Sequence, residues 1–389
     1  MGNAYLILED GTVFCGKSIG SQREVISEVV FNTSMTGYLE VLTDPSYAGQ
    51  ALVMTYPLIG NYGISIEDME SSRAWPDAFI VRELSRIPSN FRSEDTIQNF
   101  LQRYDIPGIS GIDTRALTIL LREKGTMNGL ITTNEYTKAQ IDSLLPSIRA
   151  YTTGKVVEKV TCAKKYEFTD SGDSVPQPQT VGVRNEMTEE MQKELHRRHF
   201  RVALLDFGAK RNIARSLVRR GCRVTVYPAH TSAEEILQDR PDGIMLSNGP
   251  GDPKECTQII EEVRKLYDSD VPIFAICLGH QLMALATGGD TYKMKYGHRG
   301  GNHPVKDLKT GRVYITSQNH GYVVDVEHID PKLAVPAFSN VNDGTNEGLV
   351  YLNKNIFTVQ FHPEACPGPQ DSGYLFDRFL MMMSSKSAS

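Results

Sequence analysis

The 389-residue sequence lacks the features that identify a membrane protein, a nucleic-acid-binding protein or a secreted protein. It has no apolar run of about 18 residues, the length that a membrane helix needs. Its formal net charge of −6 gives no excess of Lys and Arg for binding nucleic acid. Its N-terminus, MGNAYLILEDG, turns acidic before the apolar core of a signal peptide could form. We therefore expect a cytoplasmic protein that binds neither a membrane nor nucleic acid.

The six cysteines lack the spacings of a disulfide framework or a zinc site. No two of them stand as C-x-x-C, and none has a histidine partner at zinc-binding spacing. Scattered cysteines in a cytoplasmic chain are either core residues or reactive thiols. The sequence thus predicts no metal site and leaves each cysteine to be judged by its neighbours.

The composition is that of an ordinary globular protein, with 40% apolar and 23% charged residues. The length favours two domains, each with its own core. Residues 1–150 mix short β-rich runs with turns and one helical pattern that stops at Gly125, which predicts a mixed β/α domain. Residues 151–199 are polar and lack a sustained apolar pattern, so we assign them to a linker that could hold one short helix.

Strand and helix patterns alternate over residues 200–384, and residues 385–389 form a tail. Apolar runs such as RVALLDFG, DGIMLSNGPG and PIFAICLGH alternate with helical segments, one of which opens on the capping box from Ser232 to Glu235. Repeated βα units predict a mainly parallel central sheet flanked by helices. The fold class is therefore α/β, with ligands expected at the carboxyl ends of the strands.

A phosphate-binding pattern at residues 11–18 is a false match. GTVFCGKS fits G-x-x-x-x-G-K-[ST]. Phosphate binding by this motif needs a flexible loop between a strand and a helix. Here the residues between the two glycines favour a strand, and no helix pattern follows. We assign no nucleotide site here.

The stretch FAICLGHQ places Cys277 between an apolar strand and the start of a helix. Cys277 could be a small core residue, since free cysteine is among the most buried residue types. It could also be a nucleophile, because the small residues Ala275 and Gly279 permit a sharp strand-to-helix turn like the G-x-S-x-G elbow. The helix start would favour the thiolate, and its free amides could hold an oxyanion. This stretch alone leaves both interpretations open.

A cysteine nucleophile needs a base, and VQFHPEA offers one. His362 and Glu364 stand two residues apart on an extended segment and so point to the same side, where Glu364 could orient the imidazole ring. The alternative is a His-Pro turn with a solvated glutamate. LSNGPGDP exposes the amides of Gly249 and Gly251 after another strand, either as an oxyanion site or as an ordinary loop.

Together these residues resemble the class I glutamine amidotransferases, in which Cys, His and Glu hydrolyse the side-chain amide of glutamine. ICLGHQ resembles the family's nucleophile elbow, NGPGDP its oxyanion loop and HPE its His/Glu pair. The resemblance implies that Cys277 is the nucleophile, His362 the general base and acid, and Glu364 its orienting partner. Ala275 stands where these elbows usually have glycine, but alanine is small enough to preserve the turn.

Other segments resemble the small, glutamine-hydrolysing subunit of carbamoyl phosphate synthetase. FNTSMTGYLEVLTDPSYAGQ and GISGIDTRALT are similar to that subunit's own N-terminal domain, which other class I amidotransferases lack. KYGHRGGNHPV, SQNHGY and FHPEACPGP are similar to its amidotransferase domain. The resemblance implies a set of residues that bind glutamine or its oxyanion: Ser46, Gly249, Gly251, Leu278, Gln281, Asn319, Gly321 and Tyr322.

The resemblance also implies the reaction. Glutamine becomes glutamate and ammonia through a γ-glutamyl thioester on Cys277. The ammonia passes to a large subunit, which makes carbamoyl phosphate from bicarbonate and two ATP for arginine and pyrimidine synthesis. This chain would need no cofactor or metal of its own, since ATP and Mg²⁺ are used by the large subunit.

The same resemblance implies a heterodimer with the large subunit or a higher oligomer, with residues 1–150 serving mainly in that contact. Two alternatives stand beside it. One is a glutaminase subunit of another synthetase, such as those that make anthranilate or guanylate. The other is a catalytically silent interaction module that keeps the fold.

Overall fold

The computed structural model of the chain describes residues 2–170, 195, 197–365 and 367–386. The chain divides into two compact units, Met1–Val156 and Val157–Ser389. Among the described residues, no helix combines the length and the apolar character that crossing a membrane would require. The boundary between the units falls within the segment predicted as a linker.

The first unit contains nine strands and four helices. The strands are β1 (Asn3–Leu8), β2 (Val13–Ser18), β3 (Val25–Asn32), β4 (Gln50–Met54), β5 (Leu58–Ile59), β6 (Ala78–Val81), β7 (Glu83–Leu84), β8 (Gly108–Ser110) and β9 (Met127–Thr132). The helices are α1 (Tyr38–Thr43), α2 (Ile97–Arg103), α3 (Thr114–Lys124) and α4 (Lys138–Arg149). Seven strands close into a barrel in the order β1-β2-β8-β6-β4-β3-β9, while β5 and β7 pair separately.

Strand β4 of the barrel buries both of its faces. Along β4, Ala51 and Val53 belong to one apolar cluster, whereas Leu52 and Met54 belong to another that includes residues of α1 and α2. This division follows from the two-residue period of a strand. GTVFCGKS lies largely in β2, which pairs antiparallel with β1, so the false phosphate pattern is a strand and not a flexible loop.

The second unit is built on one ten-stranded sheet, in the order β10-β12-β11-β13-β14-β19-β18-β17-β15-β16. Its strands are β10 (Tyr166–Phe168), β11 (Arg201–Asp206), β12 (Arg223–Pro228), β13 (Gly243–Leu246), β14 (Ile273–Ile276), β15 (Asp290–Asp307), β16 (Val313–Asp325), β17 (Ala334–Asn340), β18 (Asn346–Tyr351) and β19 (Ile356–Val359). The helices given by its described residues are α5 (Val157–Val160), α6 (Arg211–Val218), α7 (Ala233–Gln238), α8 (Thr257–Asp268), α9 (Leu278–Ala286) and α10 (Tyr374–Lys386).

The predicted α/β fold is confirmed in this unit. The five adjacent strands β12, β11, β13, β14 and β19 pair in parallel with one another in that order. Along β14, Ala275 packs in a cluster with residues of α7, α8 and α9, whereas Phe274 and Ile276 pack with residues of α6 and α10. Helices therefore cover both faces of the parallel strands. Beyond β19 the sheet continues into antiparallel strands that the alternating pattern did not predict.

The predicted linker and tail differ from the structure at their edges. Residues 157–170 belong to the second unit, because Val157 packs in its core and β10 pairs with β12. The rest of the predicted linker, apart from 195 and 197–199, lies outside the described residues. The predicted tail begins inside α10, which ends at Lys386, and residues 387–389 lie outside the described part.

Packing in the first unit can be tested by comparing two phenylalanines. Phe79 in β6 is fully buried, whereas Phe91 is 97% exposed. We expect Phe79→Ala to lower the free energy of unfolding of this unit by about 3–5 kcal/mol, because it leaves a cavity. The matched variant Phe91→Ala should change it by about 0.5 kcal/mol at most. Urea unfolding followed by the fluorescence of Trp75, the single tryptophan, measures both; equal midpoints would contradict the packing.

Candidate active site

Cys277 lies at a sharp turn between β14 and α9. Its backbone has φ 52° and ψ −104°, a conformation with positive φ that residues other than glycine seldom adopt. Its N–H donates to the carbonyl of Val359 at 2.8 Å, and the residue is buried. Strain of this kind is concentrated at functional sites. The turn has the geometry of a nucleophile elbow.

Two glycines allow the elbow to pack against the loop after β13. A Cβ at Gly279 would lie 2.6 Å from the carbonyl oxygen of Leu246, and one at Gly249 would lie 2.2 Å from that of Phe207. The Cβ at Gly249 would also lie 2.7 Å from a methyl group of Leu278. Gly249 and Leu278 are therefore neighbours. Leu278 is the first residue of α9, where amides have no partner within the helix.

His362 follows β19 and is held at two points. Its N–H donates to the carbonyl of Ser317 at 2.9 Å, and its Nδ1 lies 2.7 Å from Glu364 Oε1. Because a carboxylate can only accept, Nδ1 carries the proton and Nε2 is free to accept one. Nε2 is buried and has no hydrogen-bond partner among the described residues. The ring is thus oriented as a base.

Lys210, which the sequence analysis did not assign, completes this chain of contacts. Its Nζ lies 2.7 Å from Glu364 Oε1, and both side chains are almost fully buried. Burial would raise the pKa of Glu364, but the charge of Lys210 and then the His362 ring outweigh it and lower the pKa to about 2. Glu364 is therefore ionised. The signal in the sequence was a lysine just after the apolar run RVALLDFG, where a strand ends.

The strand order brings these groups to one edge of the sheet. β13, β14 and β19 are adjacent and parallel, with Leu246 opposite Ala275 and Ile276 opposite Val359. Their carboxyl ends lead to the loop of Gly249, to Cys277 and to His362. This is the edge at which the sequence led us to expect ligands, and the His362 segment joins the Gly249 loop and Cys277 there.

The predicted glutamine-binding residues of the second unit lie beside the elbow. Cys277 Sγ is 3.7 Å from the carbonyl oxygen of Asn319 in β16. Gln281 Nε2 donates to the carbonyl of Tyr322 and to Gln360 Oε1, both at 2.9 Å. Gly321 stands between Asn319 and Tyr322 on the same strand, and the remaining member, Gly251, lies in the Gly249 loop. Gln360 is a further residue that the sequence did not point to.

Ser46 lies in the first unit, on a single 3₁₀ turn, Pro45–Tyr47. Its N–H donates to Asp44 Oδ1 at 2.9 Å, and the residue is buried. The turn is thus fixed locally by the aspartate that precedes it. A role for Ser46 in binding glutamine stays a prediction.

His280 is close to Cys277 in sequence but is a core residue. It is fully buried, and its Nδ1 lies 2.7 Å from Thr358 Oγ1. Burial lowers the pKa of His280 to about 3. His362 is therefore the better candidate for the base.

Two family models match the chain, one in each unit. The carbamoyl-phosphate synthase small chain, CPSase domain, matches residues 6–131, and the glutamine amidotransferase class-I domain matches residues 203–382. The first of these matches lies in the first unit, outside the residues that the amidotransferase domain matches.

Full-length relatives match both units together. The carbamoyl phosphate synthase small chain of Clostridium perfringens is 47% identical over 97% of this chain and 98% of its own length. That of Symbiobacterium thermophilum is 46% identical over 98% of this chain and 99% of its own length, and that of Listeria monocytogenes is 46% identical over 99% and 98%. This chain belongs to the family of carbamoyl phosphate synthase small chains.

Proposed function

We propose that Cys277, His362 and Glu364 carry the glutaminase reaction of this chain. As a carbamoyl phosphate synthase small chain with a class-I amidotransferase domain, the protein is the glutamine-hydrolysing subunit of that ligase. The observation that carries the residue assignment is the orientation of His362. Glu364 fixes its Nδ1–H, which leaves a buried Nε2 without a hydrogen-bond partner among the described residues, just after the strand that pairs with β14.

In the first step, the Cys277 thiolate attacks the side-chain carbonyl carbon of glutamine. His362 Nε2 takes the thiol proton and returns it to the leaving nitrogen, so that ammonia departs and a γ-glutamyl thioester remains. The amides of Gly249 and Leu278 stabilise the oxyanion of the tetrahedral intermediate. Loss of one such donor typically costs about 2.7–4 kcal/mol of transition-state stabilisation.

In the second step, His362 takes a proton from a water molecule, which attacks the thioester. The C–S bond breaks, glutamate leaves and the thiol recovers its proton. Throughout, the ionised Glu364 stabilises the imidazolium form of His362, and Lys210 keeps Glu364 ionised. No step needs a metal or a nucleotide, and we propose that the glutaminase reaction uses no cofactor held by this chain.

We further propose how glutamine is held. Residues of three segments would bind it: the loop after β13, the start of α9 and the middle of β16. Their close contacts, such as the hydrogen bond from Gln281 to the Tyr322 carbonyl, support this assignment. Ser46 in the first unit would add a contact. The proposed set comprises Ser46, Gly249, Gly251, Leu278, Gln281, Asn319, Gly321 and Tyr322.

A small chain implies a synthetase partner subunit. We propose that this partner is a large subunit that binds ATP and Mg²⁺, receives the ammonia directly and forms a heterodimer or a higher oligomer with this chain. Direct transfer matters because free ammonia would be protonated in water. Supply of both arginine and pyrimidine synthesis, and a cytoplasmic location, stay predictions.

The nucleophile is tested by Cys277→Ser. We expect glutamate release from glutamine to fall by at least about 10³-fold, because the hydroxyl is a far weaker nucleophile than the thiolate. Glutamate release is measured with the purified chain, alone and with the large subunit. Cys15→Ser, which removes an exposed thiol, is the matched control and should keep wild-type activity.

In the same complex, carbamoyl phosphate formation from supplied ammonium should survive Cys277→Ser, because that reaction does not use the glutaminase site. Wild-type rates of glutamine hydrolysis in Cys277→Ser would overturn the assignment of the nucleophile. A wild-type chain without Cys277-dependent hydrolysis, even beside the large subunit, would overturn the enzymatic function.

The buried lysine is tested by Lys210→Met, which keeps an unbranched side chain one heavy atom shorter and removes its charge. We expect kcat for glutamine hydrolysis to fall roughly 10- to 100-fold. A general base typically accelerates a reaction about 10²–10⁴-fold, and Lys210 would support only part of that effect. Without the cation the pKa of Glu364 rises, so activity should be lost at a higher pH on acidification than in the wild type. Lys254→Met, at an exposed ion pair with Asp290, is the control. Unchanged kcat and pH profile in Lys210→Met would refute the role.

A further inference from the structure

A cluster of buried polar side chains lies on β15, β16 and β18, outside the proposed catalytic groups. Its central members are His298, His320 and Glu347, which are at most 6% exposed. One ligand atom from each of the three lies within 4.8 Å of the other two. Three metal-binding side chains from three strands thus converge on one point.

His298 has its two ring nitrogens in different surroundings. Nε2 lies 2.8 Å from Asp343 Oδ2, and because a carboxylate only accepts, Nε2 carries the proton. Nδ1 faces Glu347 Oε1 at 3.6 Å and lies 3.5 Å from Asn340 Nδ2, which can donate to it. Histidines that bind metals commonly donate their other nitrogen to a carboxylate or a backbone carbonyl, which fixes the ring. His298 is arranged in this way, with Nδ1 towards the centre of the cluster.

His320 repeats this arrangement on the opposite side. Its Nδ1 lies 2.8 Å from the carbonyl oxygen of Tyr322 and so carries the proton. Its Nε2 lies 3.0 Å from Gln318 Oε1. The amide orientation of Gln318 is fixed, because its Nε2 donates to Glu347 Oε1 at 2.9 Å. When the His320 ring is neutral, the lone pair of its Nε2 therefore faces a lone pair of Gln318 Oε1. A cation bound to both atoms would remove this repulsion.

Glu347 supplies an independent indication of a cation. Its Oε1 accepts hydrogen bonds from Gln318 and from Asn340, each at 2.9 Å. Its Oε2 is buried and has no hydrogen-bond partner among the described residues. A fully buried carboxylate with an unbonded oxygen is costly unless positive charge lies nearby.

We propose that His298 Nδ1, His320 Nε2 and a carboxylate oxygen of Glu347 bind one Zn²⁺ ion, with Gln318 Oε1 as a fourth donor. Two imidazoles and a carboxylate are a donor set that zinc accepts in tetrahedral geometry. Bond lengths of roughly 2.0–2.1 Å place such donors about 3.3 Å apart, so binding draws the side chains inwards.

The zinc site is structural and goes beyond the proposed reaction. The carbonyl of Tyr322 accepts hydrogen bonds from both His320 Nδ1 and Gln281 Nε2. A metal on His320 would therefore fix the strand segment that also approaches Cys277 through Asn319. The ion itself stays on the far side of the imidazole from Tyr322.

A proton is the competing occupant. Burial disfavours the charged form of His298, but hydrogen bonds with Asp343 and then with Glu347 outweigh it and raise the pKa of His298 to about 9. Zinc would have to displace that proton, since a metal ligand must be deprotonated. The experiment therefore distinguishes a cluster that binds zinc from one that binds only a proton.

The test uses the full chain with Cys277→Ala, so that the thiol of the proposed nucleophile cannot bind zinc. After removal of metals by a chelator, equilibrium dialysis against Zn²⁺ with elemental analysis should give one zinc per chain. Adding Glu347→Gln, which keeps the size of the side chain, should weaken binding at least tenfold. Adding His303→Gln, a neighbouring histidine whose ring lies 5.0 Å from that of His298 but outside the ligand set, should leave binding unchanged.

Zinc should also raise the Tm of the Cys277→Ala chain and not that of the chain that carries Glu347→Gln as well. X-ray absorption at the zinc edge, which needs no variant to fold, should show nitrogen and oxygen neighbours. The proposal is overturned if no zinc binds, if Glu347→Gln binds it as tightly, or if the absorption data show a sulfur ligand.

Discussion

Parallel pairing of β13, β14 and β19 is the constraint on which the proposed site depends. The register places Ile276 opposite Val359, and one hydrogen bond, from the Cys277 N–H to the Val359 carbonyl, extends the pairing past the end of β14. Because the strands run the same way, their loops leave at one edge, as expected for ligand sites in open α/β sheets. A shift of one residue would exchange the large Phe274 and the small Ala275 between two faces that are both covered by helices.

The proposed site also contains charged side chains that are buried away from water. Lys210, Glu364 and His362 form a buried chain, so their interactions are stronger than at a surface and are screened little by salt. Such a chain is expensive to bury, and its geometry must be good to repay the desolvation. Two contacts of 2.7 Å converge on Glu364 Oε1, whereas Oε2 is buried without a hydrogen-bond partner among the described residues.

The sequence predicted most of what is local. Strand and helix periodicity identified the parallel strands and their helices, and FAICLGHQ and FHPEA carried Cys277, His362 and Glu364 because each motif is contiguous. Contacts between distant segments were not predictable in this way. Lys210 meets Glu364 across 154 residues, since 364 − 210 = 154. The long antiparallel strands and the cluster around Glu347 were missed for the same reason, because no fixed spacing links their parts.

The contact between Cys277 and the end of β19 also determines when the proposed site can form during synthesis of the chain. Val359, which accepts the Cys277 N–H, and His362 are synthesised more than eighty residues after the cysteine, because 362 − 277 = 85. Contacts of such separation form late, since a long loop must close first. When Cys277 leaves the ribosome, His362 and Glu364 have not yet been synthesised. The proposed catalytic groups therefore cannot come together until synthesis has passed residue 364.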